Sequence, residues 1–338
     1  MTGAILVFED EILEMRYPER YFVEEVKAES LSPSVLVSKL QKHLPDSAEV
    51  TRIRCFDGAD RTYKIYVSGA DSYFVNPYTG EITGRDERSA FFSKTIRLHR
   101  FLMHSYKRGV DIPWGKMAVG YSTIAFIFII LTGLFVWYPK NKKALKNRLK
   151  IKLNGGNFRF WYDLHVAGGF YVSFFLLAMA LTGLTWSFGW YRTGFYSLLG
   201  ADMGKKSSGH HSSRPKGRYD IDYLQWDKVY AELNARYPKY KTLTLDKGSA
   251  SVGTGFYGNT FATDKFTVDE ATGKITKESL YQDQDHYGKL RGWVWAFHSG
   301  GWGGMTTRIL TCLSAFLGSI FAVTGYYFWV RKKLRKRK

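Results

Sequence analysis

Three long apolar segments dominate the hydrophobic pattern of the 338-residue chain: residues 116–138, 166–190 and about 305–330. Each is about 20 residues long or slightly longer, which is enough to cross the hydrocarbon core of a membrane as an α-helix. Residues 124–131 are apolar on every side of a helix, so an amphipathic helix on a soluble protein is a poor alternative. The pattern therefore predicts three full membrane spans.

A Thr-Gly pair lies near the end of every apolar segment, and another pair opens the chain. The four pairs are Thr2-Gly3, Thr132-Gly133, Thr182-Gly183 and Thr324-Gly325. Such a pair permits close approach of helices, and the threonine hydroxyl can bond to the helix backbone. The repetition predicts that residues 1–10 are the end of a first span whose beginning is absent, with a short apolar strand as the alternative. The three full spans are therefore numbered two, three and four, after this remnant of span one. No signal-peptide pattern precedes the remnant.

Basic residues are concentrated beside the apolar segments. Seven lie within residues 140–152, and seven more are among the last eight residues of the chain. The net charge is +19, and without these 14 residues it would be about +5. Short basic loops and tails stay on the cytoplasmic side and contact anionic lipid, so the charge argues against nucleic-acid binding. The same rule places residues 11–88 and 192–290 on the outer side.

These two polar stretches have one pattern in common. Each begins with a helix that ends before a proline, and each continues in alternating segments that predict antiparallel strands. The proline precedes the glycine of a later Thr-Gly turn by 35 positions in both copies, from Pro45 to Gly80 and from Pro238 to Gly273. The spacing predicts two copies of one small α+β module.

The predicted fold is a membrane α-helical bundle, with three full spans and a remnant of a first, and two small α+β modules on the outer side. The predicted segments are the remnant (1–10), a first module (11–88), an interfacial helix and lead-in (89–113), a span (114–139), a basic cytoplasmic loop (140–160), a span (161–191), a second module (192–290), a lead-in and span (291–330), and a basic cytoplasmic tail (331–338).

This order of segments resembles the PepSY-associated transmembrane family. The matching motifs are Thr2-Gly3 to Glu9, Asn76-Pro77-Tyr78-Thr79-Gly80, Leu98-His99-Arg100, Thr132-Gly133-Leu134, Asp163-Leu164-His165, Asp269 to Gly273, and Phe297-His298-Ser299-Gly300. The resemblance implies four spans, two outer PepSY modules and a histidine near each of several span ends. It also implies a role in iron uptake, since some members look like haem-bearing reductases of ferric siderophores. The chain departs from the family in the first half of span one, where members usually carry another histidine.

Histidines near the span ends are the candidate functional residues, because burying a ring nitrogen there costs desolvation free energy unless it finds a partner. His99 and His298 precede spans two and four on the outer side, and His165 opens span three on the inner side. His99 is predicted to lie on a helix face with Phe92, Ile96 and Met103, whereas His104 lies about 140° away on that helix and is the weaker candidate.

Small and aromatic neighbours suggest room for a flat macrocycle beside these histidines. The glycines that follow His165 and His298 are Gly168, Gly169, Gly300, Gly301, Gly303 and Gly304, and the tryptophans near the outer site are Trp293, Trp295 and Trp302. Arg97, Arg100 and Arg291 are candidates to pair with haem propionates. We expect one outer b-type haem between His99 and His298, and an incomplete inner site at His165.

Other chemistries have weaker support. An interfacial histidine that only forms hydrogen bonds is the simplest alternative, and zinc would need a third or fourth ligand that has no candidate beside His298. His210 and His211 lie in a Gly/Ser-rich tract that predicts a solvated loop. Cys55 and Cys312 form no CxxC motif, which excludes a cysteine zinc site, a four-cysteine iron–sulfur cluster and covalent haem attachment.

The sequence thus predicts a protein of the bacterial inner membrane that reduces ferric iron in siderophore complexes at the periplasmic face, with a quinol or a separate protein as donor. The alternative is a non-enzymatic PepSY module, anchored in the lipid bilayer, that binds or regulates a protease or envelope partner. A transporter is less favoured because the spans carry no charge at mid-depth. Tyr78, Tyr257, Trp226 and Tyr281 are predicted to form a vestibule for the bulky chelate.

Overall fold

The computed structural model describes residues 1–69, 72–86, 89–106, 111–201, 222–255 and 258–335. His210, His211 and Tyr257 lie outside these residues. The helices are α1 (Thr2–Leu6), α2 (Glu9–Arg16), α3 (Pro18–Tyr21), α4 (Pro33–Gln41), α5 (Ala90–Phe101), α6 (Trp114–Trp137), α7 (Lys142–Arg148), α8 (Asn157–Asp163), α9 (Gly169–Ser187), α10 (Gly189–Leu198), α11 (Tyr223–Arg236), α12 (His286–Ser299) and α13 (Gly304–Arg335). The strands are β1 (Val50–Phe56), β2 (Tyr63–Val67), β3 (Ser72–Val75), β4 (Ile82–Arg85), β5 (Thr242–Asp246), β6 (Ser249–Gly253), β7 (Thr263–Val268) and β8 (Ile275–Ser279).

The chain divides into two compact units, and each is described by itself. The membrane unit comprises Met1–Phe8, Ala90–Leu199 and Val294–Lys338, and the sheet unit comprises Glu9–Ser89 and Gly200–Trp293. Each unit therefore draws on both halves of the sequence.

Three helical segments of the membrane unit are long and apolar enough to cross a membrane, as the hydrophobic pattern predicts. They are Trp114–Trp137, Asn157–Ser187 and Gly301–Arg335. The middle segment packs against both of the others through α9. The short helix α1 packs against α5 and α13, so the alternative of an apolar strand at the start of the chain is wrong.

A π-helical turn at Leu164–Gly168 joins α8 to α9 within the middle span. Such a turn adds a residue to the helical repeat and is often found at functional sites. It carries His165, and it changes the direction in which that side chain leaves the helix compared with a regular α-helix.

Helix α5 ends at Phe101, earlier than the sequence predicts. Leu102 and Met103 have φ angles of 49° and 64°, in the left-handed region that non-glycine residues rarely adopt. The helix cannot continue through two such residues. The prediction that His99 and Met103 share a helix face is therefore wrong, and His104 lies beyond the helix rather than on another side of it.

The sheet unit contains one eight-stranded antiparallel sheet with the strand order β4-β3-β2-β1-β5-β6-β7-β8. Four strands come from each predicted module, and the central pair β1 and β5 joins them, with Ile53 opposite Leu245. Helices α4 and α11 pack against each other and cover the core on one face of the sheet. Helix α4 begins with Pro33 in its first turn, and Asp222 is the N-cap of α11, where its side chain accepts a hydrogen bond from Leu224 N at 3.0 Å.

One hydrophobic core fills the space between these helices and the sheet. It includes Leu36, Ile53, Leu233 and Leu243, all with no accessible surface. Trp226 is part of the same core with 5% of its surface exposed. Trp226 also borders a cavity of about 330 Å³, and its role in a vestibule for the chelate stays a prediction.

Candidate functional site

The structure brings two of the predicted histidines together in the membrane unit. His99 extends from α5 and His298 from α12, and their ring centroids lie 6.2 Å apart with the planes tilted by 51°. A metal ion between two imidazoles lies about 2 Å from each ring nitrogen, and each nitrogen is about 1.2 Å from its ring centroid, so the centroids would be about 6 Å apart. The observed separation therefore fits two axial ligands of one metal.

The hydrogen bonds of His298 determine which ring nitrogen is available. Its Nδ1 lies 3.0 Å from Met179 O and 3.2 Å from Thr182 Oγ1. A carbonyl oxygen only accepts hydrogen bonds, so Nδ1 carries the proton and donates it. In the neutral ring this leaves the lone pair of Nε2 for a metal, which is the usual arrangement of a metal-bound histidine.

Burial keeps His298 neutral. It lowers the pKa of His298 to about 4, and repulsion from His99 and Arg100 acts in the same direction. Burial also lowers the pKa of His99, followed by the effects of the Met1 amino group and Arg100. Both imidazoles are therefore uncharged near neutral pH and can act as ligands.

His99 and His165 each bind a threonine through Nδ1 as well. His99 Nδ1 lies 3.1 Å from Thr2 Oγ1, and His165 Nδ1 lies 2.8 Å from Thr324 Oγ1. The ring of His165 packs edge-on against Phe321 and Phe328, at centroid distances of 5.5 and 5.6 Å. His165 thus lies in an aromatic pocket.

The glycines that follow His165 and His298 differ in the space around them, since nothing lies within 4 Å of a Cβ built on Gly169 or Gly304, whereas Gly168 and Gly300 lie against other residues. A Cβ on Gly168 would lie 3.0 Å from Phe321 Cζ, so this glycine permits contact between helices. Gly300 has a φ of 79° and lies against Thr307 and Thr311, so it forms the turn between α12 and the last span. A glycine can leave room for a ligand or allow close packing of the backbone, and the sequence does not distinguish these two roles.

The predicted arginines have different surroundings. Arg97 donates to Ser105 Oγ at 2.6 Å, and Arg100 packs over the ring of Phe101 at 5.1 Å. Of the two, only Arg100 acts electrostatically on both His99 and His298. Arg291 belongs to the sheet unit.

His104 and several tryptophans complete the comparison with the predicted site. His104 stacks on Tyr106 at 6.3 Å, and its Nδ1 is buried without a hydrogen-bond partner.

The ring that packs against His298 is Trp186, which the sequence analysis missed. Its centroid is 5.0 Å from that of His298, and Trp295 packs against it at 5.3 Å.

Zinc receives no support from the geometry. Within the described part of the chain, no group of three or more histidine, cysteine, aspartate or glutamate side chains is placed to hold a metal ion. His99 and His298 together supply two imidazoles, which would suit a metal whose other ligands come from a macrocycle.

A family model for the PepSY-associated TM region matches residues 1–332. The chain belongs to the PepSY-associated TM family. A search of the curated proteins finds no match to it. Membership of this family and the three apolar helices together make the chain a multi-pass membrane protein.

Proposed function

We propose that this PepSY-associated TM protein is a b-type haem electron-transfer protein of the bacterial inner membrane, which reduces ferric iron in siderophore complexes at the periplasmic face. The observation that carries the proposal is the pair of imidazoles from α5 and α12, 6.2 Å apart, each with Nδ1 held by another helix. The family resemblance supports the iron substrate.

His99 and His298 would hold the haem iron through Nε2, and Met179 O and Thr182 Oγ1 orient the ring of His298. A haem held by both imidazoles would supply one-electron transfer. Trp186 covers an edge of His298 and limits the access of water to it. The guanidinium of Arg100 offers donors for a carboxylate such as a propionate.

A cavity of about 970 Å³ in the sheet unit is a candidate site for the chelate. It lies within the range of ligand pockets, at its upper end. Its wall combines rings such as Phe56 and Tyr240 with cations such as Arg54, Lys239 and Lys241, and carboxylates also line it. This composition suits a large polar ligand. Neither Tyr78 nor Tyr281 lines this cavity, and the vestibule predicted from them stays a separate prediction.

The test is a reduced absorption spectrum of the purified full chain in lipid nanodiscs. We expect a b-type band that is lost in His99→Ala and His298→Ala but kept in His43→Ala, since His43 is an exposed histidine of the sheet unit. Ferric siderophore added to dithionite-reduced protein should reoxidise the haem. A band that survives in His298→Ala, or haem that stays reduced with excess ferric siderophore, would refute the assignment.

The same variants separate this function from that of a PepSY regulator. A regulator needs the sheet unit and its anchors, so a double His99→Ala/His298→Ala variant would keep full activity in iron-limited growth. A haem reductase would lose it while the amount of protein in the membrane stays the same.

A further inference from the structure

Three histidines of the membrane unit are bound in the same way by a Thr-Gly pair on another helix. The pairs are Thr2-Gly3 with His99, Thr182-Gly183 with His298, and Thr324-Gly325 with His165. In each, the threonine oxygen lies 2.8–3.2 Å from Nδ1 of the ring. The contacts join residues between 97 and 159 positions apart in the chain.

The glycine of each pair supports the edge of the same ring. A Cβ built on Gly3, Gly183 or Gly325 would lie 3.4, 3.1 or 3.2 Å from Cε1 of the bound histidine. Cε1 lies between the two ring nitrogens, so contact at Nδ1 and Cε1 fixes both the position of the ring and the direction of Nε2. A Cβ at Gly183 or Gly325 would be closer than an ordinary van der Waals contact and would displace the ring, whereas one at Gly3 would only touch it.

The threonines also determine the position of the ring proton. Thr182 donates its own hydrogen to Ala178 O at 2.6 Å, and Thr324 donates to Phe321 O at 3.4 Å. The hydroxyl oxygens of these two threonines are therefore left to accept a hydrogen bond from Nδ1–H. As a result Nε2 keeps its lone pair, which is the form that binds a metal.

The fourth pair, Thr132-Gly133, has the same local structure but contacts no histidine among the described residues. Thr132 donates to Phe128 O at 2.7 Å, and nothing lies within 4 Å of a Cβ built on Gly133. The local structure of the helix therefore does not require the glycine. This pair serves as an internal control for the other three.

We propose that the Thr-Gly pairs are positioning residues that set the ring orientation and the Nδ1 protonation of the haem ligands. The inference rests on the proposed function for the haem, but the docking of the imidazoles is a property of the protein alone. Loss of Thr2 should have a larger effect than loss of Thr182, because Met179 O also accepts from Nδ1 of His298.

The first experiment compares Gly183→Ala with Gly133→Ala. Alanine is the better helix former, so both variants should melt at or above the temperature of the parent. Gly183→Ala should nevertheless bind haem at least about tenfold more weakly, the usual effect of disturbing the support of a metal ligand. Gly133→Ala should bind as the parent does. Equal haem affinity in the two variants would overturn the proposal.

The second experiment uses the hydroxyl groups and needs no glycine change. Thr2→Val should lower the haem affinity about 10- to 100-fold and shift its midpoint potential, while Thr2→Ser restores both. Thr132→Val is the matched control and should change neither. A Thr2→Val variant with the potential and affinity of the parent would contradict a positioning role.

A third measurement separates failure of this inference from failure of the proposed function. In haem-free protein labelled with ¹⁵N-histidine, the chemical shifts of His298 should report a proton on Nδ1. A proton on Nε2 would overturn the docking arrangement whatever the haem content. If the parent protein fails to bind added haem and still shows the expected tautomer, the proposed function is refuted and the docking arrangement stands.

Discussion

An added helix that carries one histidine should turn Thr132-Gly133 into a further docking site. In span three, His165 precedes Thr182 by 17 positions, which is about 26 Å along a helix. Thr2 and Thr182 have equivalent roles, since Thr2 lies against Nδ1 of His99 and Thr182 lies against Nδ1 of His298. We therefore design an apolar helix fused upstream of Met1, with a histidine 17 positions before Thr2.

The expected result is a second haem, held by the new histidine and His165. The hydroxyl of Thr132 would support the new ring, and its loss in Thr132→Val should weaken the second site about 10- to 100-fold, or about 1.4–2.8 kcal/mol. The outer site should be unaffected, because its partners are Thr2, Thr182 and Met179.

The assay is the ratio of haem to protein, followed by a redox titration in nanodiscs. The ratio should rise from one to two with the histidine extension and stay at one when alanine replaces that histidine. Two haems should also allow electrons to cross a liposome membrane, which one haem does not. A ratio of one with the histidine extension, or of two with the alanine version, would refute the reasoning.

Three further predictions follow from the packing. Ile53→Ala should destabilise the sheet unit by about 2–5 kcal/mol in chemical unfolding, with no change in the haem band. Gly115→Ala should abolish haem binding, because a Cβ would collide with the carbonyl of Phe101 at the end of the helix that carries the first ligand; unchanged haem content would refute this. Arg308→Met should remove the bond to Val7 O and weaken haem binding by loosening α1, which a haem titration would detect.

The sequence predicts the spans well because their cause is local. A helix with apolar residues on all sides is stable only in lipid or in a large core, so residues 116–138 and 166–190 allow few alternatives. No local sequence pattern marks the end of α5. Leu102 and Met103 adopt positive φ although neither is glycine, and such a conformation is set by the surrounding structure.

The candidate ligands could be recognised from the sequence, but their partners could not. His99 and His298 lie next to apolar segments, where burying a histidine costs free energy unless its ring nitrogens have partners. Thr2 and Thr182 are 97 and 116 positions away from the rings they bind, and sequence patterns carry no information on such pairings without homologues. The repetition of Thr-Gly was visible, but it also fitted simple helix packing.

The two halves of the chain contribute to both units in the same order. Each half has a Thr-Gly pair, then a helix and four strands, and then a helix with an outer histidine. In the sheet unit, the halves join through β1 and β5. In the membrane unit, they join at His99 and His298, one ring from each half. Because each half contributes one ring to this pair, duplication of one such segment would have been sufficient to bring two imidazoles together where the copies meet.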